Sequence, residues 1–183
     1  MLIGIVVVSV IGQTKPETAK ICSIIYALLE GLFLGLISFF FETVVSGIIL
    51  TAIMITATLF SVMLLLFTTN TLRATGRFTK FMMSVGITIA VISLVYFVSY
   101  LFNPNNVLAL TLASSPMLLL LISGIILIYG ALMLILDFEN IRAIIEYGFD
   151  KRYEWMAALG LMITLIWIYV EALRIVAIFA DRN

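Results

Sequence analysis

Five apolar runs of roughly membrane-spanning length follow one another in this sequence, over 21–41, 47–67, 81–102, 116–137 and 155–179. They leave little choice of fold. At 1.5 Å of rise per residue, about twenty residues of helix cross a hydrocarbon layer about 30 Å thick. Inside that layer each backbone N–H and C=O needs a partner within the protein, which a helix supplies by itself. The composition agrees: 64% of residues are hydrophobic, 11% are charged and the mean hydropathy is +1.27, whereas soluble domains carry about 25% charged residues. The chain reads as one polytopic, all-α integral membrane domain.

A shorter apolar run, MLIGIVVVSVIG over 1–12, precedes these five. It would extend only about 18 Å as a helix, too little to span. It has no basic leading region and no small-residue cleavage pattern, so it does not resemble a signal peptide. We read it as the remaining part of a helix that begins upstream. The expectation is a bundle of about six spans with the first truncated, and seven helices with a cytoplasmic start in an intact protein.

Ten basic and ten acidic residues give a formal net charge of zero, which points away from a nucleic-acid partner. Lys15 and Lys20, then Arg73, Arg77 and Lys80, then Arg142, Lys151 and Arg152 fall in every second loop. By the positive-inside rule these loops are cytoplasmic, which puts the turn at Asn103–Asn106 and the C-terminus outside. Glu139, Glu146, Asp150 and Glu154 read as a solvated cytoplasmic loop with the last basic group. The lone Cys22 cannot form an internal disulfide. Histidine is absent, so any proton-linked switch falls to carboxyl groups held out of water.

The acidic residues inside the apolar runs are the candidate functional groups. Asp137 closes the 116–137 run, Glu171 sits inside the last run, and Glu30 lies near the middle of the first full one. An ionisable side chain at the centre of a membrane helix costs about 2.5 to 3.5 kcal/mol on insertion scales, which makes each a functional-site hypothesis. Arg174 follows Glu171 by three residues, a spacing that permits an ion pair within the helix or a snorkelling arginine. Gly31 and Gly35 form a GxxxG spacing suited to close approach of a neighbouring helix. If the last helix enters at Trp155, Glu171 lies about 24 Å deep, Glu30 about 15 Å deep, and Asp137 at the cytoplasmic face. On rise alone Glu30 is the nearer partner for Glu171.

Enzyme chemistry finds no footing: HExxH, GxSxG and a Walker loop are all missing, and no histidine is present to serve as a base. No cofactor is implied.

LILDFENIRAII over 134–145, followed by TLIWIYVEALRIVAIF over 164–179, resembles the last two helices of the transmembrane Bax inhibitor motif family, especially its bacterial branch. EGLFLGLIS over 30–38 is similar to that branch's glycine-rich earlier helix. The resemblance implies a bundle around a central C-terminal helix in a bacterial cytoplasmic membrane. It also implies a calcium leak with a pH-responsive carboxylate latch, Asp137 on the penultimate helix and Glu171 on the last. Glu30 and Arg174 are further candidates for the ion path. Two carboxyls sharing one proton hold helices together, and loss of that proton leaves like charges that repel. Calcium takes six to eight oxygens, so Asp137 and Glu171 alone make a weak transit site for calcium as the transported ion. The alternative is a non-transporting membrane regulator that binds a membrane protease or another membrane complex.

Overall fold

The computed structural model describes residues 2–102 and 115–180, and among these the chain is six α-helices. They are α1 (Leu2–Thr14), α2 (Ala19–Val44), α3 (Ile48–Thr68), α4 (Gly76–Phe102), α5 (Pro116–Glu146) and α6 (Lys151–Ala180). Five of them are long and apolar enough to cross a membrane; α1 is a shorter apolar helix. The turn expected at Asn103–Asn106, the residues up to Ser114 and the C-terminal Asn183 lie outside the described residues.

The helix ends follow local chemistry. Pro16 sits in the turn between α1 and α2, where Lys15 and Thr18 carry the turn hydrogen bonds. Between α2 and α3 the chain reverses at Gly47, whose φ of +83° suits a residue without Cβ. The Glu42 carboxylate accepts from the amides of Gly47 at 2.6 Å and Ile49 at 3.1 Å, satisfying donors that the start of α3 would leave bare. Pro116 opens α5, where a missing N–H costs nothing. Gly148, at φ +63°, separates α5 from α6, and Asp150 takes the Arg152 amide at 3.0 Å.

α6 is the centre of the bundle. It packs against α5, α3, α2 and α1, and each of the four buried clusters draws a residue from it: Ile168, Leu173, Leu159 and, at the edge of the fourth, Trp167. Lipid tails are as apolar as leucine, so what joins these helices is fit and hydrogen bonding rather than expulsion of water. Small residues allow the fit. A Cβ on Gly130 would lie 2.9 Å from Ile168 Cγ1, and one on Gly12 would meet Leu159 and Cys22. The outer faces are apolar, as at Leu28, Leu32, Leu36 and Phe39, because their solvent is the bilayer. α4 lies against α5, tied by the Tyr129 hydroxyl donating to the Met82 carbonyl at 3.1 Å.

Two expectations need correction. Of the acidic and basic residues expected in a loop after Asp137, only Asp150 lies in one: α5 continues to Glu146, where Arg142 pairs with Glu146 at 2.5 Å, Glu139 Oε2 is buried, and α6 begins at Lys151. Hydropathy falls at Asp137, but good helix formers carry the helix on beyond the apolar run. Among the described residues the GxxxG pair meets no neighbouring helix, since nothing lies within 4 Å of a Cβ built on Gly31 or Gly35. Gly130 and Gly12 provide the close approaches instead.

Candidate functional site

The α5–α6 seam holds both carboxyls singled out in these helices. On α5, Ser123, Gly130 and Asp137 recur at seven-residue intervals and so share a face. On α6, Gly160, Thr164, Ile168 and Glu171 follow at intervals of three or four and form the matching stripe. The helices run antiparallel across three levels. At one end Ser123, buried to 1% exposure, stands beside the Glu171 carboxyl. In the middle Ile168 fills the hollow over Gly130. At the other end Asp137 faces Gly160 and Thr164: a Cβ on Gly160 would stand 3.7 Å from Asp137 Oδ1, and the Thr164 hydroxyl stands beside the carboxyl.

Glu171 is 3% exposed and its Oε1 accepts from Arg174 Nη1 at 3.0 Å, so the i, i+3 ion pair is formed. Its Oε2 has no hydrogen-bond partner among the described residues, and neither has Asp137 Oδ2. Thr164 has one hydroxyl proton and two claimants, since its Oγ1 also lies 3.3 Å from the Gly160 carbonyl. A protonated Asp137 can donate to Thr164 while Thr164 donates to Gly160. An ionised Asp137 can only accept, and takes that proton from the helix carbonyl.

The structure does not bring the two carboxyls together. Asp137 is partnered at Thr164, seven residues before Glu171, which is about 10 Å along α6. A single proton shared between them is therefore not the arrangement seen. The depth estimate from rise alone also needs correction, because α2 and α6 run side by side in the same direction. Ser23 Oγ donates to the Trp155 carbonyl at 3.2 Å, and Ser38 Oγ lies 2.8 Å from the Tyr169 hydroxyl. This register sets Glu30 level with about Met162, and hence with Asp137 rather than with Glu171. Glu30 is 8% exposed, one turn beyond the buried Tyr26, with a partnerless Oε2. Its α2 neighbours Tyr26 and Leu29 pack with Leu159, Met162 and Ile163 of α6, whereas Asp137 lies on the α5 side.

Ser123, Thr164, Gly130 and Ile168 escaped the reading of the sequence. Their signal was the seven-residue repeat from Ser123 to Asp137 and from Thr164 to Glu171, hidden because a serine or threonine in a membrane helix usually bonds back to its own backbone.

The sequence model of the family described as Bax inhibitor 1 like matches residues 1–181. The chain belongs to that family. Comparisons with curated proteins and with solved structures each found no match. For this Bax inhibitor 1 like protein, the seam is thus where family membership and geometry meet: the motif that carried the resemblance at 134–145 supplies Asp137, and that at 164–179 supplies Thr164, Ile168, Glu171 and Arg174. Among the described residues no three Asp, Glu or Cys side chains gather into a metal site. A calcium ion at Asp137 or Glu171 would draw most of its oxygens from hydroxyls, carbonyls and water.

Proposed function

We propose that this protein is a pH-sensitive calcium leak whose ion path follows the α5–α6 seam. The observation that carries the proposal is the pair of buried carboxyls on one seam, each with an oxygen left without a partner. A buried polar atom without a hydrogen bond costs about 1 to 3 kcal/mol, which calls for an explanation beyond packing. Ligand oxygens offered in turn to a passing cation supply one.

In this reading Asp137 and Glu171 act in sequence, two stations rather than one clasp, with Ile168 in the Gly130 hollow as the dry barrier between them. A protonated Asp137 is neutral and joins α5 to α6 through Thr164. Deprotonation leaves a buried charge for which no ion pair exists among the described residues. An uncompensated buried charge favours any rearrangement that admits water or a cation. Flux therefore rises with pH. The basic loops face the cytoplasm, by the positive-inside rule, and the membrane is the bacterial cytoplasmic one implied by the resemblance.

The test is purified protein in liposomes loaded with a calcium dye, followed between about pH 5 and pH 8. Calcium entry that grows with pH supports the leak. Protein that is folded and correctly inserted yet passes no calcium at any pH refutes it, and leaves the membrane regulator that binds a protease or another complex.

A further inference from the structure

An open groove of about 470 Å³ runs between the final turns of α2 and α6. Phe40, Phe41 and Val44 form one wall, Ala177 and Ile178 the other, and Arg174 lines it with its side chain 51% exposed. Phe40 and Val44 are 67% and 70% exposed, so the groove opens sideways towards lipid rather than into the bundle. Arg174 stands six residues, about 9 Å of helix, before Ala180, where the apolar run gives way to the charged Asp181 and Arg182, a depth at which a snorkelling guanidinium reaches the headgroup layer.

The electrostatics are one-sided. The only hydrogen bond of Arg174 among the described residues is the one from Nη1 to Glu171, which leaves most of its five N–H donors for another acceptor. Glu171 is buried whereas Arg174 is half exposed, so the groove presents the cation and not its counter-ion. The nearest acidic side chain along α2, Glu42, is already engaged by the amides of Gly47 and Ile49. A free anion would leave the apolar walls bare, and an apolar chain alone would leave the guanidinium unanswered. A phospholipid satisfies both at once.

We propose that this groove is a phospholipid site, with the headgroup phosphate on Arg174 and the upper acyl chain against Phe40, Phe41 and Ile178. The lipid site does not rest on the calcium reading, although Arg174 is also the ion-pair partner of Glu171. Binding is read with a single tryptophan reporter, Phe40→Trp in a Trp155→Phe, Trp167→Phe background, reconstituted into vesicles of phosphatidylcholine with a minor share of brominated phosphatidylglycerol. Bromine quenching should show phosphatidylglycerol preferred over brominated phosphatidylcholine by about fivefold, the factor expected for one basic side chain near an anionic lipid. Arg174→Gln should bring the preference close to one, and Arg174→Lys should keep most of it. Millimolar inorganic phosphate should not displace the lipid; displacement would assign the site to a free anion instead. Equal quenching by both lipids in the parent, no quenching by either, or a preference unchanged in Arg174→Gln each overturns the proposal. If Arg174→Gln fails to fold, the parent preference and its retention in Arg174→Lys still decide the question.

Discussion

Replacing Ile168 with alanine removes three carbons from a side chain that is 1% exposed and rests over a residue without a side chain, Gly130. Gly130 has nothing with which to fill the void, so the contacts are lost outright. In water-soluble cores such a truncation costs about 2 to 5 kcal/mol; in a bilayer the transfer part of that cost is small, and about 2 to 3 kcal/mol is expected. For a protein of this length that lowers Tm by about 5 to 10 °C. Gly130→Ala alone places a methyl 2.9 Å from Ile168 Cγ1, an overpacking worth about 1 to 2 kcal/mol. The double variant lets the new methyl occupy the vacated space and should recover at least about 1 kcal/mol relative to the sum. The greater helix propensity of alanine over glycine is common to both backgrounds and cancels in the cycle. Thermal unfolding in detergent, followed by size-exclusion recovery after heating, measures all four proteins. Additive losses would show that Ile168 does not seat in the Gly130 hollow, and the dry barrier of the seam would fall with it.

Thr164→Val keeps the shape and removes the hydroxyl that meets Asp137; we expect a loss of about 1 to 2 kcal/mol that vanishes in an Asp137→Leu background, and an undiminished loss there would deny the contact. Arg174→Gln should destabilise the protein more than Glu171→Gln, because it strands a buried carboxyl while the second change leaves an exposed guanidinium that can turn to the interface; the reverse order of Tm values would contradict the partner assignment. With Cys22 replaced by serine, single cysteines at Thr75 and Phe149 should resist an impermeant external thiol reagent while one at Asn105 reacts, and external labelling at Thr75 would invert the proposed orientation.

Much of the fold is legible along the chain because the bilayer asks a simple question of each segment. Apolar length decides whether a helix can cross: the runs at 21–41, 81–102, 116–137 and 155–179 each lie within one helix, and the run at 47–67 begins one residue before α3. Where α5 ends is a different question, since hydrogen bonding and propensity carry a helix past the apolar stretch, and the stop is set by Gly148 and Asp150 instead. Asp137 and Glu171 stood out because charge in an apolar run is costly. Their separate partners did not, because register between helices depends on which small residue receives which large one, and Gly130 under Ile168 sets it here. Glu30 fell at the level of Asp137 because two serines, Ser23 and Ser38, fix α2 against α6.

Calcium-dye flux in proteoliposomes of the wild type, Asp137→Asn, Glu171→Gln and the double variant, across about pH 5 to pH 8, tests the central claim most directly. Wild-type flux should rise with pH. Asp137→Asn should leave it low and flat, since asparagine keeps a hydrogen bond to Thr164 and cannot gain charge. Glu171→Gln should lower the flux at every pH while keeping a rise, because it removes the second station rather than the switch. The double variant should match Asp137→Asn. If both single variants keep the wild-type profile and amplitude, the seam is not the ion path.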